Sequence, residues 1–112
     1  MRTFICRFPD GSSFLNQVNR PNPSRADHAS LVFLGSAGLS PGQIVCLDLS
    51  IDQGMEHHRL HMEIQSRTPR LGDASRGVRW LYTATPTAED RPWFNMLIQK
   101  YSTAERVYSL GG

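Results

Sequence analysis

In two stretches between residues 44 and 64, apolar side chains recur at every second position, a period that belongs to a strand and not to a helix. Across Ile44–Ile51, Val45, Leu47, Leu49 and Ile51 fall on one face, and Cys46, Asp48 and Ser50 fall on the other. From His58 to Ile64 the pattern returns, with His58, Leu60, Met62 and Ile64 set against Arg59, His61 and Glu63. Asp52-Gln53-Gly54 supplies turn residues between the two runs, and Ser40-Pro41-Gly42 supplies a turn just before the first. Such a pair predicts an antiparallel hairpin with one buried face.

The rest of the chain is read around that hairpin. Gly77 to Thr83 places Val78, Trp80 and Tyr82 on one face of a further strand. Phe4 to Phe8 and Ser13 to Val18 read as two strands around the turn Pro9-Asp10-Gly11. Asn19 to Arg25 carries Pro21 and Pro23 and is excluded from helix, because each proline removes a donor and restricts its predecessor. Ser30 to Leu34 is a short, apolar, buried strand. Only the C-terminal part has a helical period: Asp90 as cap, Pro92 in the first turn, then Trp93, Met96, Leu97 and Tyr101. The expected fold is mainly β, a small antiparallel β-barrel of six or seven strands with one C-terminal helix over an open end. A single domain over residues 1–112 accounts for the length, and the chain has no internal repeat.

Composition narrows the function. With 39% apolar and 20% charged residues the chain is globular in character. No run reaches the ~20 apolar residues of a membrane span, and the N-terminus has no secretory pattern. Cys6 and Cys46 are too few for a disulfide framework, so a reduced, cytoplasmic protein is expected. A net charge of +2 provides no large basic field for nucleic acid. Lys100 is the only lysine among the 12 basic residues; arginine pairs bidentately with phosphate or carboxylate and stacks on flat rings.

The chemistry-bearing residues point to binding. His57, His58 and His61 invite a metal, but on a strand His57 and His61 stand ~13 Å apart, too far to share one ion. Gly11-Ser12-Ser13 and Gly35-Ser36-Ala37-Gly38 are not nucleophile elbows, and no phosphate-cradling Gly-Lys-Ser/Thr loop is present. Arg67, Arg70, Arg76 and Arg79 bracket a loop from Thr68 to Gly77, either a clamp for a phosphate or acidic partner or a solvated hairpin loop. No enzyme, metal or cofactor is expected.

Leu39-Ser40-Pro41-Gly42-Gln43-Ile44-Val45-Cys46-Leu47-Asp48-Leu49, the strand around His61, Gly77-Val78-Arg79-Trp80-Leu81 and the closing amphipathic helix together resemble a PilZ domain. That family is a small bacterial barrel that senses cyclic di-GMP. Its ligand motifs are Arg-x-x-x-Arg near the N-terminus and Asp/Asn-x-Ser-x-x-Gly further on. Here four residues separate Arg2 from Arg7 instead of three, and Asn22 and Ser24 match the second motif while Asp27 stands in place of glycine. The resemblance implies a non-enzymatic binding module of one of two forms. In a cyclic di-GMP receptor, Arg2 and Arg7, with Arg20 or Arg25, grip phosphates and stack on guanine while Asn22 and Ser24 fix the base or backbone. In a ligand-independent adaptor, an exposed barrel face docks a protein partner in motility, pilus or biofilm control, and the altered motifs tilt toward this form.

An alternative starts from Leu110-Gly111-Gly112, which is similar to the end of ubiquitin-like modifiers and carriers. Those folds need a helix between their second and third strands, where this chain has its proline-rich segment. A small RNA-binding barrel ranks third, given the near-neutral charge.

Overall fold

The computed structural model describes residues 2–20, 29–35, 38–70 and 79–111, the last eight of these by backbone alone. In chain order the elements are β1 (Thr3–Phe8), α1 (Gly11–Asn16), β2 (Val18–Asn19), β3 (Ser30–Gly35), β4 (Ile44–Ile51), β5 (Glu56–Arg70), β6 (Arg79–Pro86) and α2 (Arg91–Gly111). The six strands form one sheet in the order β1-β4-β5-β6-β3-β2. The protein is thus mainly β, and the expected hairpin is β4–β5, antiparallel in the register Leu47↔Leu60. Val45, Leu47, Leu49 and Ile51 are fully buried, as their alternation requires.

Several expectations are corrected. The sheet is mixed, because β1 runs parallel to β4 in the register Thr3↔Cys46 to Phe8↔Ile51. Its hydrogen-bonded ladder does not close, since β1 and β2 are its two ends. Nor is Ser13 to Val18 a strand: Gly11–Asn16 is helical, and only Val18–Asn19 is extended. Asp10 caps this helix, its Oδ1 accepting from the Ser13 N–H at 2.8 Å. Phe14 then turns fully inward, where it meets the rings of Phe8, Phe94 and Tyr101 edge-on. On α2, Leu97 and Tyr101 are buried as expected, but Phe94 and Ile98 complete the buried face and Trp93 and Met96 are exposed. α2 continues past Ser102 to Gly111. Val78 and most of Asn19 to Arg25 lie outside the described residues.

A β-bulge between Ile64 and Ser66 changes which face of β5 looks inward. Before it, Leu60, Met62 and Ile64 are buried; after it, Arg67 pairs with Tyr82 and Pro69 with Trp80. Arg67 therefore shares the face of Tyr82 while remaining exposed, its guanidinium 4.7 Å from the Trp80 ring centroid and its Nη1 donating to the Leu39 carbonyl at 2.9 Å. Leu39 is held there by its own N–H, which donates to the Tyr82 hydroxyl at 3.1 Å. β5 and β6 also extend beyond the expected boundaries, so Thr68, Pro69 and Arg70 belong to a strand, with Arg70 directly opposite Arg79.

α2 is tied to the β4–β5 hairpin at Glu56. Its carboxylate accepts from Lys100 Nζ at 2.9 and 3.0 Å and from the Tyr101 hydroxyl. The Lys100 bond first, and then that of Tyr101, hold the Glu56 carboxyl down at about 2. The Tyr101 phenol is raised by burial and by the same carboxylate. At the start of α2, Asp90 Oδ2 accepts from both the backbone N–H and Nδ1 of His61, at 2.6 and 3.0 Å.

Candidate functional site

Arg7 is the sequence candidate that the fold places at a cavity. It is the penultimate residue of β1, exposed, and in register with Ser50 of β4. Phe8 beside it is buried and anchors the end of the strand against Phe14. Two cavities meet at Arg7. One, of about 590 Å³, is also lined by Pro9, Ser50, Gln53, Gly54 and His57. The other, of about 400 Å³, runs from Ile5 and Cys6 past Ser13 and Gln17 to Val32 and Leu34.

The first cavity shows mostly apolar surface, with a few polar groups at its wall. Arg7, Gln53 and His57 bring N–H groups from β1, the β4–β5 turn and β5, and Ser50 adds a nearly buried hydroxyl. The turn itself is strained, with Asp52 at φ 59° and Gln53 at φ 54°, a left-handed region that side chains other than glycine occupy at a cost of about 1–3 kcal/mol. Gly54 follows at φ 89°. The nearby Asp48 carboxylate is 3.4 Å from His57 Nδ1 and 3.8 Å from Arg59 Nε, so its charge is shared between two bases. The site can receive an anion or a carbonyl. On the wall of the other cavity, burial, and secondarily Asp48, push the Cys6 thiol up to about 11.

The other candidates do not converge on Arg7. Arg2 precedes β1, where its carbonyl accepts from the Cys46 N–H at 2.9 Å. Five residues of extended chain put it ~16 Å from Arg7. Arg20 follows β2 and lines neither of these two cavities. Asn22, Ser24 and Arg25 lie outside the described residues. Sequence reasoning missed Ser50, Gln53 and His57 as a group. In the sequence His57 reads only as a candidate metal ligand, and nothing in the spacing shows that a parallel β1 sets Arg7 beside the hairpin turn. His57 and His61 turn to different carboxylates, Asp48 and Asp90. Among the described residues, no three of His, Cys, Asp and Glu gather as a metal site. None of the helices described is long and apolar enough to cross a membrane.

Compared with known proteins, the chain matches no family model, no curated protein and no solved structure.

Proposed function

We propose that the chain is a non-enzymatic, PilZ-like binding module of the cytoplasm that acts as a ligand-independent protein adaptor in bacterial motility, pilus or biofilm control. On this reading the curled sheet is a small barrel left open along one seam, between β1 and β3, with α2 packed beside it. The observation that carries the adaptor form is the separation of the two N-terminal arginines. Arg2 and Arg7 stand at opposite ends of β1, and successive positions on a strand alternate between its faces. An even- and an odd-numbered residue at ~16 Å do not close on one phosphate as a paired clamp does.

The receptor form has one specific support, the cavity at which Arg7, Gln53 and His57 meet. Isothermal titration of the purified chain with cyclic di-GMP at physiological salt, with Arg7→Ala as control, separates the two forms. No heat at high ligand concentration is the expected result. Micromolar binding that disappears in Arg7→Ala would overturn the adaptor form and make the chain a receptor.

A further inference from the structure

The second cavity lies between the open edge of β1 and the part of β3 that β2 leaves uncovered. In a parallel pair, alternate residues turn both backbone groups toward the neighbour and the residues between turn theirs away. The Cys46 N–H bonds to the Arg2 carbonyl, so Phe4, Cys6 and Phe8 face β4, and Thr3, Ile5 and Arg7 present N–H and C=O to the open side. On β3, Phe33 and Gly35 pair with Tyr82 and Trp80 of β6. The Val32 N–H donates to the Gln17 carbonyl at 2.8 Å, which sets Val32 and Leu34 toward the other side. β2 pairs only as far as Leu31, leaving the Leu34 groups beyond its reach. Among the described residues no backbone partner meets Ile5 or Leu34 on these open sides.

These edges bound one slot. Ile5, Arg7, Val32 and Leu34 line the cavity of about 400 Å³, and a smaller one of about 90 Å³ continues between Phe4, Leu34, Gly35 and Leu39. Ile5 and Leu34, apolar side chains on the two banks, leave 58% and 47% of their surface exposed. Arg7 is the one charged side chain lining the slot among the described residues.

We propose that this slot accepts an extended segment of a protein partner, which adds a strand between β1 and β3 and completes the ring. The main-chain groups of Thr3, Ile5 and Arg7 on one bank, and of Leu34 on the other, pair with the backbone of that segment. Its apolar side chains cover Ile5 and Leu34 at every second position, and an acidic side chain meets Arg7. The inference deepens the adaptor reading and rests on it for the class of partner.

The test uses the full chain and a synthetic heptapeptide of alternating valine and threonine with glutamate at both ends. Amide exchange is followed residue by residue, with Ile5→Pro and Leu34→Pro as variants. Each proline deletes one outward donor, and proline is tolerated on an edge whose N–H faces solvent. Thermal melts establish that both variants fold. The expected result is slowing of the Ile5, Arg7 and Leu34 amides by at least about tenfold in the wild type on peptide saturation, lost in both variants. Unchanged exchange at these amides overturns the slot, as does protection confined to another edge. Protection without peptide that grows with protein concentration also overturns it, by making a second copy the occupant. In parallel, wild-type and proline forms are used to capture partners from cell extract. A protein held equally by all three overturns the slot while the adaptor reading stands. Capture by none of them counts against the adaptor reading, and the peptide arm still decides the slot.

Discussion

Gly11 opens α1 where no side chain fits: a Cβ there would stand 2.9 Å from Tyr101 Cγ and closer still to the ring edge. The ring cannot easily yield, because Phe14 packs on it and its hydroxyl is bonded to Glu56. Alanine favours helix over glycine by up to about 1 kcal/mol, but forcing a methyl into a filled contact costs roughly 1–3 kcal/mol. Overpacking wins, so Gly11→Ala is expected to lower the urea midpoint without changing the slope of the transition. An unchanged or raised midpoint would show that the α1–α2 contact is looser than the geometry requires. Nothing in the sequence announces this contact. Glycine after Pro9-Asp10 reads as a turn residue, and only the arrival of α2, ninety residues later, shows why a hydrogen is needed there.

The same junction governs how α2 stays on the sheet, and it is sensitive to acid. Glu56 titrates near 4.5 when unperturbed and at about 2 here, held down first by Lys100 and then by Tyr101. Between those values the unfolded chain binds more protons than the folded one, so the Glu56 contribution is complete above about 4.5 and lost as the pH falls through about 2. Glu56→Gln is expected to flatten the pH dependence of the urea midpoint in that window, with separation of α2 followed by Trp93 fluorescence. An unaltered profile in the variant would assign the acid sensitivity to other carboxylates. At the level of elements, strict alternation made β4 and the buried half of β5 legible, and helical spacing made α2 legible. What it missed has local causes. The cap at Asp10 outweighs the mixed pattern of Ser13 to Val18, and the bulge at Gln65 reverses parity by inserting one residue, setting Arg67 opposite Tyr82. The Gln65 amide is fixed there by Glu63 and Thr85, at 2.7 and 2.8 Å.

For the whole molecule, the mainly-β character followed from counting strands, but its topology did not. Alternation reports which face of a strand is buried and says nothing about its neighbour or its direction. The parallel pairing of β1 with β4, which carries Arg7 to the hairpin turn and leaves β1 as an open edge, was therefore beyond reach. Of the candidate site, Arg7 was legible as a residue, whereas its grouping with Ser50, Gln53 and His57 depends on that pairing. The proposed open-seamed barrel and strand-accepting slot both require the β1 edge, and the β3 edge beyond Val32, to be unpaired in the free protein. Residue-resolved amide exchange of the full chain, alone and dilute, measures this most directly. The expected result is fast exchange at Ile5, Arg7 and Leu34 beside strong protection at Phe4, Cys6 and Phe33. Equal protection along β1 would contradict an open seam and leave the chain a closed sheet with no edge to offer.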